Sequence, residues 1–234
     1  MKNISLRFVY PKGSMQNMVM RLLSIMSVYT EDSISGIEGF DLGNGVSIWE
    51  IDRFRSQDIP DLLERGVFDM GIVGRDWIVE RDADIIELTA FSLSRETFNP
   101  IRIVLAAPQE LGCKSIQDLP LGAVIATEYP ITARKYLDGY GRQDISISLS
   151  YGDTERKVGI GAATAIIDIT ETGRTLKANG LEIIQVLCES TMTLSANLAS
   201  YRNEKKRSAI LKFAGMVNDC YRLMLLDNSR GVKI

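Results

Sequence analysis

The chain contains no histidine in its 234 residues. Histidine is the commonest general base near neutral pH and a frequent metal ligand, so its absence excludes a Ser-His-Asp mechanism and any imidazole-based site. Cysteine is scarce. Cys113, Cys188 and Cys220 lie far apart, without the paired spacing that zinc sites use. An odd, sparse set of thiols suits a reducing compartment, and a cytoplasmic location is expected. Excess positive charge is missing too: the formal net charge is −3, which argues against nucleic acid as a partner. No apolar run approaches the length of a membrane span. The N-terminus shows strand-like alternation in place of a signal-peptide core, so no membrane association is expected. There is no Gly-x-x-x-x-Gly-Lys-Ser/Thr loop, and Gly159-Ile160-Gly161 lacks the third glycine of a dinucleotide fingerprint.

What is present is an ordinary globular composition, 45% hydrophobic and 24% charged, with mean hydropathy +0.02. Strand-like runs occur at 4–10, 46–51, 70–73, 101–107, 123–127, 145–151 and 165–169, and the runs 181–188 and 192–198 read as a pair of strands. Helical spacing links Met15, Met18, Val19, Leu22, Leu23 and Met26, a methionine-rich core face. A final helix starts near Asn203 with the stripe Ile210, Phe213, Val217, Tyr221 and Met224. Asn44-Gly45 signals a hairpin turn. Asp58 is placed to cap a short helix that carries Pro60 in its first turn. Strand and helix alternate, which predicts an α/β protein with mostly parallel sheets. No linker or repeat interrupts the pattern. Two lobes sharing the chain by crossing over twice, near 95–105 and 180–190, are expected, with the ligand site in a cleft between them.

The most informative stretch is 166–181. The β-branched run Ile166 to Ile169 carries an acid at Asp168 and stops at the hydroxyl-rich turn Thr170-Glu171-Thr172-Gly173-Arg174-Thr175, with a helix from about Leu176. A strand ending in such a turn gathers backbone N–H groups, hydroxyls and the positive end of a helix at one point, which suits a phosphate. The preceding acid suits sugar hydroxyls or a metal. On composition alone, a threonine-capped turn is an equal reading. Pro11-Lys12-Gly13-Ser14 is a strand-end loop with a lysine, or a turn in which Ser14 caps the next helix. Arg55 to Pro60 and Asp69 to Asp76 are weak signals singly. The lysine-rich stretch Asn203 to Arg207 reads as a solvated first helical turn.

Together these segments resemble the ATP phosphoribosyltransferase family. Pro11-Lys12-Gly13 is similar to its N-terminal loop, and Arg55-Ser56-Gln57-Asp58-Ile59-Pro60 to its Arg-x-x-Asp-Ile/Val-Pro segment. Gly66-Val67-Phe68-Asp69-Met70-Gly71-Ile72-Val73-Gly74-Arg75-Asp76 resembles its Gly-x-x-Asp-x-Gly-x-x-Gly-x-Asp run. Arg102 to Pro108, Ala126-Thr127-x-Tyr129-Pro130, Asp168 to Leu176 and Ser200-Tyr201-Arg202 follow in the family's order. The resemblance covers nearly the whole chain, which ends where the family's short form ends.

The resemblance implies an α/β fold of two lobes like a type II periplasmic binding protein, with the active site in the cleft between them. Lobe I is expected at 1–100 plus 187–234, and lobe II at 101–186. The implied reaction joins N1 of ATP to C1 of phosphoribosyl pyrophosphate and releases pyrophosphate, opening histidine biosynthesis. The implied donor-phosphate residues are Asp168, Thr170, Glu171, Thr172, Gly173, Arg174 and Thr175. Lys12 and Arg55 are the implied catalytic cations, facing pyrophosphate or the ATP phosphates. Lys12, Ser14, Arg55, Asp76 and Glu155 are assigned to the acceptor. Mg²⁺ is the expected cofactor, with no direct protein ligand; Asp168 is implied to hold either the ribose hydroxyls or Mg²⁺ through water. A homodimer and a synthetase-like regulatory subunit are the expected assembly.

Some positions depart from the family pattern. Ser14 stands at the arginine of Lys-Gly-Arg, Glu128 at a lysine, and Thr164 at the aspartate of Gly-x-Ala-Asp. The Gly-Ser-Val-Glu-x-Ala-Pro segment becomes Gly152-Asp153-Thr154-Glu155-Arg156-Lys157-Val158, where Arg156 and Lys157 restore positive charge. The donor loop is untouched. Two rival expectations follow: a phosphoribosyltransferase with the same donor and another nitrogen heterocycle as acceptor, or a non-catalytic two-lobed binding or regulatory protein.

Overall fold

The structure is a computed structural model that describes residues 4–13, 15–30, 40–43, 46–93, 98 and 100–230. In chain order its elements are β1 (Ile4–Pro11), α1 (Gln16–Thr30), β2 (Phe40–Gly43), β3 (Val46–Phe54), α2 (Ile59–Glu64), β4 (Met70–Gly74), α3 (Arg75–Arg81) and β5 (Ile85–Phe91). They continue with β6 (Ile101–Pro108), β7 (Val124–Thr127), α4 (Pro130–Gly139), β8 (Ser146–Leu149), α5 (Thr154–Gly159), β9 (Ala165–Thr170), α6 (Arg174–Ala178) and β10 (Leu181–Ser190). The last three are β11 (Met192–Asn197), α7 (Leu198–Arg202) and α8 (Glu204–Arg230). The chain divides into two compact units, Met1–Phe98 with Thr191–Ile234, and Asn99–Ser190. Residues 187–190, expected in lobe I, belong to β10 and to the second unit.

The first unit holds a six-stranded sheet in the order β2-β3-β1-β4-β11-β5. β1 runs parallel to β3 and β4, whereas β2, β11 and β5 run antiparallel to their neighbours. Leu6, Phe8 and Tyr10 alternate along β1, so their side chains share one face of the sheet. They pack with Val19, Leu22 and Met26 of α1 and with Ile210, Phe213 and Val217 of α8. Phe8 and Phe213 meet edge to face with ring centroids 5.3 Å apart. Met18 and Met26 are buried and Met15 packs against the same core, so the methionine run is a core face as expected. The hairpin signal Asn44-Gly45 and Ser14 lie outside the described residues.

The second unit holds a five-stranded sheet in the order β10-β6-β9-β7-β8. β7 runs parallel to both β8 and β9, and β6 runs antiparallel to both β9 and β10. Val104, Ala106, Ala126, Ile166, Leu176 and Leu181 form one of its cores.

One expectation is corrected: both sheets are mixed, where mostly parallel pairing was expected. The strands at 181–190 and 192–197, on either side of the expected crossover, do not pair with each other. β10 is an edge strand beside β6, and β11 inserts between β4 and β5. Alternation of apolar residues identifies a strand but carries no information on its partner.

Candidate functional site

Because β8, β7 and β9 are parallel neighbours, their carboxyl ends share one edge of the second sheet. Such edges are where α/β sheets place ligands. Three loops leave it: the residues after Thr127, the turn Ser150 to Asp153, and the turn Glu171 to Gly173.

The third loop is the sequence-predicted phosphate turn. Thr170 ends β9, and its hydroxyl accepts the Gly173 N–H at 2.9 Å. The Thr172 hydroxyl accepts the Arg174 N–H at 3.4 Å. Gly173 has φ +75°, a left-handed conformation that glycine adopts without steric cost. α6 begins at Arg174, two residues earlier than expected, and the buried Leu176 fastens it to the core. Arg102, opposite Thr170 in the β6–β9 ladder, donates to the Glu171 carbonyl at 3.4 Å. Thr172, Arg174 and Thr175 are exposed above this support.

Asp168 lies partly buried in β9, opposite Val104 of β6. The Ile169 N–H donates to its Oδ1 at 2.7 Å, and Thr154, the first residue of α5, hydrogen-bonds its side chain. Burial is the main influence on this carboxyl and pushes its pKa up to about 6, with the charges of Glu128 and Glu155 pushing the same way. The structure therefore brings Asp168, Glu155 and the loop together, and adds Glu128.

The turn after β8 is fixed by its neighbours. The Ser150 N–H donates to Thr127 O at 2.8 Å, and the Ser150 hydroxyl donates to Gly152 O at 3.2 Å. Lys157 Nζ donates to Leu149 O at 2.7 Å. Arg156 lies 3.6 Å from Asp153, and both side chains are exposed. Thr164 also acts locally, since its hydroxyl accepts the Val124 N–H at 3.1 Å, between β7 and β9.

In the first unit, β3, β1 and β4 are parallel neighbours, and three expected site residues follow their carboxyl ends. Lys12 follows Pro11, which is paired with Phe54, and the Lys12 N–H donates to Phe54 O at 2.8 Å. Arg55 follows Phe54, so the two exposed cations start from adjacent strand ends. Asp76 stands buried in the first turn of α3, just after β4. A Cβ on Gly74 would collide with the Asp76 carboxylate, and one on Gly71 would lie 2.5 Å from Val9 Cγ1. Asp58 occupies the N-cap position of α2, but its side chain makes no capping hydrogen bond; its αR backbone keeps the chain in helical turn from Ser56 onward.

One cluster escaped the sequence reading. Asp69 is 2% exposed. Its Oδ1 accepts from Lys206 Nζ at 2.7 Å and from the Ser200 hydroxyl at 2.6 Å, and its Oδ2 accepts the Arg7 N–H at 2.8 Å. Burial alone would raise this carboxyl, but the donors from Lys206, Ser200 and Arg7 outweigh it and hold the pKa below the ordinary value. Lys206 is thus a partner of a buried acid, and the expectation of a purely solvated turn at 203–207 is corrected for it. The Gly-x-x-Asp pattern was the available signal for Asp69, but it gave the residue no partner.

Among the described residues, no group of three or more carboxylates, cysteines or histidines is arranged to hold a metal ion. No described helix is long and apolar enough to cross a membrane.

Residues 55–218 match the family described as HisG, ATP phosphoribosyltransferase. The chain is 37% identical to an ATP phosphoribosyltransferase of Chlorobium phaeobacteroides over 89% of its own length and 69% of the relative's. It is 34% identical to that of Desulforudis audaxviator over 99% and 77%. Its fold is similar to a chain of the ATP phosphoribosyl transferase (HisG:HisZ) complex from Thermotoga maritima, with TM-score 0.73 and 29% identity, covering 93% of this chain and 98% of that one. It is similar in fold alone to the periplasmic aliphatic sulphonate binding protein SsuA from Escherichia coli, with TM-score 0.64 and 16% identity over 99% and 80%.

Proposed function

The chain belongs to the ATP phosphoribosyltransferase family, and we propose that its Asp168 to Thr175 loop holds the phosphoribosyl pyrophosphate donor. The reaction joins N1 of the adenine of ATP to C1 of the donor and releases pyrophosphate, the first step of histidine biosynthesis.

The observation that carries the donor assignment is the supported turn after β9. Its hydroxyls already hold two N–H groups in place, Gly173 leaves room, and Thr172, Arg174 and Thr175 remain open to solvent. A 5′-phosphate takes over the weaker of these bonds, the 3.4 Å contact between Thr172 and the Arg174 N–H. Asp168, one pair of residues back along the strand, grips the ribose hydroxyls.

The acceptor nitrogen brings its own lone pair, so a chain without histidine suffices. Position and charge supply the rate. Lys12 and Arg55, on adjacent strand ends, neutralise the departing pyrophosphate or the ATP phosphates, and the buried Asp76 orients the acceptor. Mg²⁺ fits this donor set as an oxygen-seeking ion that keeps most of its water: Asp168 offers one carboxylate with Glu128 and Glu155 adding negative potential. Asp168 would hold it through water, and the ion would offset the charge of the leaving group.

A cytoplasmic homodimer that assembles with a HisZ-like regulatory subunit is the quaternary reading, supported by the partner present in the Thermotoga maritima complex. The test is pyrophosphate release from phosphoribosyl pyrophosphate and Mg²⁺, with and without ATP and the regulatory partner. ATP-dependent release is expected. Release with another nitrogen heterocycle and none with ATP overturns the acceptor.

A further inference from the structure

Tyr151 is 80% exposed, an unusual state for a large aromatic side chain fixed on a turn. Among the described residues, two other large apolar side chains are about as open. Leu121 precedes β7 and so lies toward the opposite edge of the sheet, and Ile160 follows α5. Tyr151 alone of the three stands where β8 ends, on the edge that carries the donor loop.

The turn beneath it is held at nearly every step. Leu149 O accepts from Lys157, Ser150 is bonded to Thr127 and Gly152, and Thr154 is bonded to Asp168. Gly152 and Asp153 both take left-handed backbone conformations, φ +105° and +51°. A non-glycine residue in that region costs conformational energy, which marks a turn whose shape its surroundings dictate. The result is a rigid backbone that projects an aromatic ring. Such a ring loses little entropy when a flat ligand covers it.

Chemistry decides which part of the acceptor comes here. Asp168, Glu128 and Glu155 add negative potential at this edge, and Arg156 and Lys157 follow Tyr151 on α5. An exposed ring offers stacking, which a flat purine takes up and a triphosphate does not. Only β7 separates β8 from β9, so the Tyr151 turn is about two strand spacings, roughly 10 Å, from Asp168. That distance suits a base whose reacting nitrogen must meet C1 of a ribose held by Asp168.

We infer that Tyr151 stacks on the adenine of ATP and sets the orientation of N1 toward the donor. This rests on the proposed reaction and on Asp168 holding the donor.

The test compares Tyr151→Ala and Tyr151→Phe in the assembly in which the unaltered protein turns over. Base–aromatic stacking predicts that Tyr151→Ala raises KM for ATP by about 5- to 100-fold, with Tyr151→Phe within about twofold of the parent. Donor affinity, measured by calorimetry without ATP, stays unchanged in both and reports an intact fold. An unaltered KM for ATP in Tyr151→Ala, or an equal loss of donor affinity, overturns the inference. An unaltered protein that releases no pyrophosphate with ATP overturns the functional reading itself, whatever Tyr151 does.

Discussion

Lys206 Nζ lies 2.7 Å from Asp69 Oδ1, across 137 residues of sequence. The pair ties the first turn of α8 to the residue that leads into β4, the strand that runs into α3 and Asp76. Asp69 is buried, while a third of the Lys206 side chain meets solvent. Lys206→Met keeps the aliphatic stem and removes the charge, and is expected to cost about 1–3 kcal/mol after allowance for screening. The lowered pKa of Asp69 fixes the pH dependence. Its ionised form favours folding above the unfolded value near 3.8, and this contribution disappears as pH falls through the lower folded value. The difference in denaturation midpoint between parent and variant should therefore be full at neutral pH and shrink below about pH 4. A difference independent of pH would assign the loss to packing alone.

Gly71 and Gly74 make separable predictions. An alanine Cβ at Gly71 lies 2.5 Å from Val9 Cγ1 and 2.7 Å from Val9 O, so the β1–β4 pair must spread. Gly71→Ala should destabilise by about 3 kcal/mol or more, read by urea denaturation. At Gly74 the obstacle is the carboxylate of Asp76, a side chain that can turn away. Gly74→Ala should fold with a smaller loss and weaken ATP binding by displacing Asp76. Equal ATP affinity in a folded Gly74→Ala protein removes Asp76 from the acceptor site.

How much of this was readable in the sequence depended on distance along the chain. The strand–turn–helix at 166–178 was readable because its parts are contiguous: β-branched strand, acid, hydroxyls, glycine and helix occur together. The core stripes of α1 and α8 were readable for the same reason, through helical period. The role of Lys206 was not, because its partner is remote and a lysine at a helix start is usually solvated. Thr164 looked like a lost aspartate, yet its hydroxyl satisfies the backbone N–H of Val124 forty residues away. Strand partners were the weakest inference. β10 and β11 are separated by Thr191 alone, and the apolar runs that identify them do not say that the two strands enter different sheets.

Gly173 tests the loop directly. Its φ of +75° strains any residue with a Cβ by about 1–2 kcal/mol, although the space beside it is adequate, with Ile183 Cδ1 at 3.6 Å. Gly173→Val should thus fold with a modest loss of stability. Its affinity for phosphoribosyl pyrophosphate should fall at least about tenfold, because the branched side chain tilts the N–H groups of the turn away from the phosphate. Calorimetry showing parental affinity would refute the phosphate assignment.

The proposed role of Asp168 sets stability against function. Burial and the neighbouring Glu128 and Glu155 push its folded-state pKa up to about 6 from 3.8. The folded protein holds this proton more tightly than the unfolded chain, so stability declines as pH rises from about 4 through about 6 and the loss is complete above that range. Asp168→Asn removes the charge and should stabilise the protein by about 2–3 kcal/mol at pH 8, with no gain below about pH 4. On the proposed assignment, the same change withdraws the carboxylate from the ribose hydroxyls and from hydrated Mg²⁺. It should lower kcat/KM for the donor by about 10- to 100-fold, the range for a charge-assisted hydrogen bond. In the unaltered protein, kcat/KM for the donor should fall with decreasing pH around an apparent pKa near 6, a dependence that Asp168→Asn abolishes. A variant that is both more stable and fully active would show that the carboxylate is not used. A variant that is less stable at every pH would show that its hydrogen bonds with Thr154 and Ile169 outweigh the cost of burying its charge.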